Sequence, residues 1–292
     1  MRTPSQVVIT LLITGFLMMS GCTRVGLAYR HLDIIIPWSI NDYLGMTSTQ
    51  KRWLDDRLKE HLRWHCTTQI PDYLIWLDRL QKMVETRQIT ELTLKARAAE
   101  GRLAIEHISK QVTPTAIELL SQLEDKQVQT LQEAFANDLR EHKKEFVDLP
   151  LDKQIIDRTK RMENRLGPWM GTLTAPQHQR VVDWSVTLGE QNQLWIDNRT
   201  HWQGLFIAAV QQRKSPDFSQ RVTPLLQDRE SFWTPQYRQA YEHTEQAAIS
   251  LLVDLMAQST PDQRQRLTEK ISDVRNDFAN LSCLKEAPQL TQ

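Results

Sequence analysis

From residue 47 nearly to the end, the apolar residues of this chain return every three or four positions. Leu54, Leu58, Leu62 and Cys66 stand at i, i+4, i+8 and i+12, on one side of an α-helix. Val128, Leu131, Phe135, Leu139 and Phe146 repeat the pattern. So do Val181, Trp184, Leu188, Trp195, Trp202, Leu205 and Ala209, at near-heptad steps with polar interruptions at Gln191 and Asn198. A strand cannot use this period, because its faces alternate every two residues. No stretch alternates strictly between apolar and polar residues, and the hairpin dipeptides Asn-Gly and Asp-Gly are absent. The expectation is an all-α, elongated multi-helix bundle of about nine or ten helices.

Proline and threonine mark the expected starts. Pro71 opens a second helix, with Tyr73, Leu74, Leu77, Leu80 and Val84 on its apolar side. Thr90 opens a third through Leu94, Leu103 and Ile108, and Thr113-Pro114 caps a fourth. Pro150 marks a break, followed by a helix to about Leu166. Thr174, Ser215-Pro216, Thr234-Pro235 and Thr260-Pro261 cap later ones. A helix running unbroken from 174 to 213 would be ~60 Å long, and Gly189 is the residue able to break it. Residues 47–292 read as a single helical domain, with a possible hinge near 147–152 or 167–173.

Several function classes are excluded early. Nine glycines in 292 residues is about 3%, against a usual ~7%. No Gly-rich loop for cradling phosphate can be assembled. Thirty-six basic residues balance 36 acidic ones, which argues against a nucleic-acid partner. Apolar residues make up 40% and the mean hydropathy is −0.50, values of neither a multi-span membrane protein nor a disordered chain.

The N-terminus carries an address. Arg2 precedes an apolar stretch from Val7 to Met19, followed by Ser20-Gly21-Cys22. Residues 1–21 read as a lipoprotein signal peptide, cleaved before a cysteine that two small residues precede. The apolar run is shorter than a membrane span requires. Cys22 would become the lipidated N-terminus, its three acyl chains held in the outer membrane by ~0.8 kcal/mol per buried CH₂. Thr23 in place of Asp favours the outer membrane, with the body facing the periplasm. Residues 22–46 form a membrane-proximal apolar segment containing Leu27, Tyr29, Leu32, Ile34, Ile35, Ile36, Trp38, Ile40 and Tyr43. It either begins the core or lies at the lipid surface. Cys66 and Cys283 remain in an oxidising compartment and are expected to pair, tying the first long helix to the last.

One short pattern recurs. Thr47-Ser48-Thr49-Gln50, Thr174-Ala175-Pro176-Gln177 and Thr260-Pro261-Asp262-Gln263 are capping boxes, and Glu124-Asp125-Lys126-Gln127 is a degenerate copy. The form Leu173-Thr174-x-x-Gln177 resembles the motif of periplasmic stress proteins of the Spy and CpxP type. That resemblance implies a helical protein that binds unfolded clients or a sensor kinase without catalysis. Cys22, Leu27, Tyr29, Leu32-Asp33, Asp42-Tyr43, Gln50, Trp64-His65, Pro71, Tyr73 and Leu77 resemble the opening of an uncharacterised family of proteobacterial outer-membrane lipoproteins. There Arg follows Trp-His where this chain has Cys66, so a Cys66–Cys283 bridge would belong to this chain. The resemblance implies the lipoprotein address and no activity.

Candidate chemistry is sparse. His61 and His65 are four apart and could face one metal, but Leu62 stands where a zincin-type site needs Glu, and spacing places no third ligand. No metal or cofactor is expected. Gly-x-Ser-x-Gly, phosphate-loop and Cys-x-x-Cys motifs are absent. His65 and Cys66 are adjacent, so on a helix they point ~100° apart and cannot act directly as base and nucleophile. His65 could instead orient against Asp42 or the backbone. Trp184, Trp195 and Trp202 either continue the core stripe or line a groove for a peptide, glycan strand or partner helix. The leading expectation is a non-enzymatic adaptor or chaperone-like binder of an envelope protein or unfolded clients. The alternative is an envelope enzyme or glycan-binding protein acting on peptidoglycan, with His61 or His65 among its polar groups.

Overall fold

The computed structural model describes residues 28–285. They form the all-α multi-helix bundle that the periodicity implies. The helices are α1 (Leu32–Leu44), α2 (Ser48–Trp64), α3 (Ile70–Glu85), α4 (Glu91–Ser121), α5 (Asp125–Phe146) and α6 (Leu151–Met170). They continue as α7 (Ala175–Thr187), α8 (Gln191–Gln211), α9 (Phe218–Gln227), α10 (Pro235–Ala257), α11 (Pro261–Ala279) and the short α12 (Ser282–Lys285). A π turn (His65–Gln69) joins α2 to α3, and a 3₁₀ turn (Arg229–Phe232) precedes α10.

Several boundaries differ from the sequence expectation. Pro71 stands in the first turn of α3, as expected, but no loop separates that helix from α2. The Ile70 amide reaches back five residues to the His65 carbonyl, so α2 and α3 are continuous through the π turn. A proline ring crowds the carbonyl four residues before it, and one widened turn relieves this while keeping the chain helical. Pro114 lies inside α4 and starts nothing. Thr113 is buried there, and its hydroxyl donates to the Ser109 carbonyl at 2.6 Å. Helix α6 continues past Leu166 and through Pro168 until Gly171, at φ +75°. Ser215 does not cap α9, which starts after Asp217; the Ser215 hydroxyl bonds the Asp217 carboxylate instead.

The long 174–213 helix does not form. Gly189 adopts φ +49°, a left-handed conformation that ends α7 and lets the chain turn into α8. The buried Arg158 secures this corner, donating to the Ser185 carbonyl at 2.8 Å and the Gly189 carbonyl at 2.9 Å. These carbonyls lie at a helix end, where cationic donors are favoured.

The capping boxes do more than start helices. Thr47, Thr174 and Thr260 each accept from the amide three residues on, and Gln50, Gln127, Gln177 and Gln263 each accept from the N-cap amide of their own box. The four glutamines also pair across the fold. Gln50 Nε2 donates to Gln127 Oε1 at 3.2 Å, and Gln127 Nε2 donates to Gln50 Oε1 at 2.9 Å. Gln177 and Gln263 exchange the same two bonds, both at 2.9 Å. All four side chains are buried. One clasp therefore locks the start of α2 to that of α5, and the other locks α7 to α11.

The core follows these clasps. Leu44, Leu54, Leu120, Leu131, Phe206 and Val222 belong to a cluster shared by α1, α2, α4, α5, α8 and α9. Leu166, Met170, Val181, Trp184, Leu251 and Leu255 form a second, between α6, α7 and α10. Helix α3 packs along α11 through Leu77, Val84 and Ile271. Cys66 and Cys283 are disulfide-bonded, joining the π turn to α12 across 217 residues of sequence.

Candidate functional site

Two chambers open within the bundle and meet at Arg199, Trp202, Leu226 and Arg229. The first has a volume of about 610 Å³ and lies between α1, α2, α4, α5, α8 and α9. Ile40, Leu58, Val112, Leu120, Phe135 and Phe206 give it a largely apolar wall. The second, of about 810 Å³, is polar and aromatic and is bounded by α4, α8, the 3₁₀ turn and α10. Trp195, Trp233, Tyr237 and Tyr241 line it beside Arg102 and Lys110.

The junction is built on α8. Trp202 stacks on Phe206, four residues later, with ring centroids 5.0 Å apart and planes at 16°. Its indole N–H donates to the Leu225 carbonyl at 3.1 Å, which fixes the ring against α9. The Arg229 guanidinium lies 4.5 Å from the Trp202 ring centroid, a cation–π arrangement. Partial desolvation and then the neighbouring Arg199 lower its pKa, although the residue as a whole stays exposed. Arg199 pairs with Asp138 through one terminal nitrogen, while its Nε has no partner.

A few polar residues also line the apolar chamber. Gln203 is only 5% exposed, and its Oε1 has no hydrogen-bond partner. His61 Nε2 meets the Thr115 hydroxyl at 2.8 Å, and its Nδ1 is unpaired. Burial holds the imidazole below its usual pKa. Of the seven buried side-chain polar atoms without partners among the described residues, three belong to residues that line this chamber, His61, Arg199 and Gln203, and each of those atoms is itself shut off from solvent.

Other candidates fall elsewhere. His65 and His61 do not converge on one point. His65 Nδ1 is 3.1 Å from the Tyr29 hydroxyl and its Nε2 is 3.2 Å from the Tyr73 hydroxyl. These tyrosines, and not Asp42, orient the ring. Burial lowers the His65 pKa, and Tyr29 is pushed up to about 12 by burial and by Tyr73. This cluster surrounds the Cys66–Cys283 bridge, so it fastens the N-terminal end of the described chain. Among the described residues no group of three or more His, Cys, Asp or Glu side chains could hold a metal ion.

The three tryptophans do not form one groove. Trp184 is 7% exposed and belongs to the α6–α7–α10 core, across the Gly189 corner from the other two. Trp195 packs on His142 and Phe146 at 5.3 and 5.8 Å, and both Trp195 and Trp202 reach the polar chamber. Sequence reasoning missed Arg199, Gln203, Arg229, Trp233, Tyr237 and Tyr241. Two signals were present: Gln203 is a polar residue beside the α8 stripe, and Tyr237 and Tyr241 share a helix face immediately after Trp233. Cys22 and the 1–21 segment lie outside the described residues. No described helix is long and apolar enough to cross a membrane.

Comparison with curated proteins and with solved structures finds no match. A family model does match, over residues 42–238. That stretch spans α2 to α9 and carries most of both chamber walls. The match covers well over half of the chain, which therefore belongs to DUF6279, a family of unknown function.

Proposed function

We propose that this protein is a lipid-anchored, periplasm-facing binding protein of the cell envelope, chaperone-like or adaptor-like and without catalysis, whose binding site is the two-chambered cavity. One observation carries this reading: the apolar chamber is walled by aliphatic and aromatic side chains and has only a few polar residues, His61, Gln203, Arg199 and Arg229 among them. That composition is typical of ligand pockets, whose volumes run from ~300 to ~1,000 Å³. The pair most suggestive of catalysis is His61 with Thr115. A base that activates a hydroxyl needs its imidazole held by a third group, and here Nδ1 has none.

The membrane address rests on Ser20-Gly21-Cys22 and Thr23. Helix α1 begins ten residues after Cys22 and exposes Ile34, Ile35 and Trp38. Such residues suit the boundary between lipid and water. The resemblance to Spy-type and CpxP-type stress proteins gains support from the four boxes, which act in pairs as buried clasps. A glycan-binding reading has its own support in Trp195, Trp233, Tyr237 and Tyr241, aromatic faces gathered around the polar chamber.

In-cell photo-crosslinking tests the site. Photoreactive residues at positions 195 and 233 should give adducts that a probe at the exposed Val186, away from the cavity, does not. A discrete protein adduct marks an adaptor, a broad protein smear a chaperone, and a sugar adduct the glycan reading. Equal labelling from all three positions overturns the assignment of the cavity. Cys22→Ser should abolish lipid labelling, and a labelled variant would refute the address.

A further inference from the structure

We infer that the apolar chamber takes the acyl chain of an anionic lipid monomer, with the head group at Arg199 and Arg229 where the two chambers meet. This deepens the binding-protein reading and rests on it.

The ionic groups are arranged for such a ligand. No carboxylate lines the apolar chamber, and its two guanidinium groups, Arg199 and Arg229, both stand at the junction. Arg229 makes no ion pair among the described residues and lies over Trp202. Arg199 is engaged by Asp138 through one terminal nitrogen only. Carboxylates of the polar chamber are partly occupied: Glu106 pairs with Lys110, and Asp228 takes the Ser231 hydroxyl. An anionic head group at the junction gains charge-assisted bonds from guanidinium groups already in place.

The size of the chamber favours an extended chain over a helix. An α-helix with side chains is ~10–12 Å across, so about 610 Å³ holds little more than one turn. An acyl chain is far thinner and matches a wall that is aliphatic and aromatic. The wall itself supplies the link to a membrane. Helix α1 contributes Ile36, Ile40 and Tyr43 to the chamber, and its exposed Ile34, Ile35 and Trp38 are apolar. The helix between the cavity and the outside is therefore apolar on both its inner and outer faces, as loading from a bilayer surface requires.

Native mass spectrometry of the full-length protein, extracted in mild detergent, tests this. The wild type should carry a non-covalent adduct whose mass reports the source, a fatty acid or an anionic phospholipid. Added lysophosphatidylglycerols of increasing chain length should bind about fourfold more tightly per methylene until the chamber is full. Ala116→Trp fills the chamber from α4 and should abolish the adduct. Arg229→Gln, at an exposed position, should weaken the anionic lipid at least tenfold and leave a monoacylglycerol of equal chain length unaffected. Circular dichroism establishes that each variant is folded. Absence of an adduct, absence of chain-length dependence, or an adduct unchanged in both variants overturns the inference. A chamber that accepts lysophosphatidylglycerol only in Cys22→Ser would mean that the chain's own acyl group fills it, and also overturns it. Cross-links at 195 and 233 without any lipid adduct would leave the binding site standing and remove only the lipid.

Discussion

The paired glutamines make a sharp energetic prediction at Gln177→Met. Gln177 is 0% exposed, and methionine preserves its length while removing both amide atoms. Four bonds are lost: Oε1 accepts from the Thr174 amide at 2.9 Å and from Gln263 at 2.9 Å, and Nε2 donates to Gln263 at 2.9 Å and to the Leu255 carbonyl at 3.4 Å. Gln263 keeps the Thr260 amide and the Thr172 carbonyl, so it is not stranded. The Thr174 amide and the Leu255 carbonyl near the end of α10 are. Each orphan costs ~1–3 kcal/mol, giving a destabilisation of about 3 kcal/mol. Thr174→Ala removes only the local cap bond to the Gln177 amide and should cost ~1 kcal/mol. Urea unfolding followed by tryptophan fluorescence compares the two midpoints at constant m. The double variant Gln177→Met/Gln263→Met should cost less than the sum of its singles, because the shared amide pair is then counted once. Equal costs for Gln177→Met and Thr174→Ala would show that the box acts only as a local cap, and the clasp argument would fail.

Other outcomes follow from the same structure. Reducing Cys66–Cys283 should destabilise the fold by about 2–4 kcal/mol, roughly 5–15 °C in Tm; an unchanged Tm with both thiols alkylated would contradict this. Burial holds the pKa values of His61 and His65 in the folded protein below the ~6.5 of a free imidazole. Their contribution is then complete above about pH 6.5 and declines as pH falls, because the unfolded chain takes up those protons first. Tm should drop between pH 7.5 and 5.5, and less so in His61→Gln/His65→Gln; identical pH profiles would refute the assignment. Gly189→Ala forces a side chain to φ +49° and should cost ~1 kcal/mol, although nothing lies within 4 Å of the added carbon. Gly204→Ala, inside α8 with open space around it, should instead stabilise by ~0.5–1 kcal/mol, and thermal melts of the two should move in opposite directions.

The short-range rules carried far in this chain. The spacing of Leu54, Leu58 and Leu62 makes a helix because backbone bonds close within four residues. Thr174-x-x-Gln177 caps one because its partners are three residues apart. The Cys66–Cys283 pairing was expected once Cys22 was assigned to lipid, and the structure has that bond. Prolines were less readable. The rule that proline starts a helix is local: it holds for Pro71 in the first turn of α3, although a π turn keeps α2 and α3 continuous, and it fails for Pro114, which lies inside α4. The break at Gly189 was legible, but not its consequence: held by Arg158 from a different helix, that corner puts Trp184 into another core.

Only the tertiary structure decided the rest. Nothing local to Gln50 names Gln127 as its partner 77 residues away, because that bond exists only after α2 and α5 have docked. The cavity has the same origin. Six helices bring His61, Gln203, Arg199 and Arg229 to one space, and each of these residues, read within its own helix, is an ordinary polar position. Periodicity and capping are interactions over three or four residues, so the sequence determined which segments are helices and where most of them begin. The clasps, the corner at Gly189 and the chamber depend on how whole faces meet, which is a property of packing among distant segments.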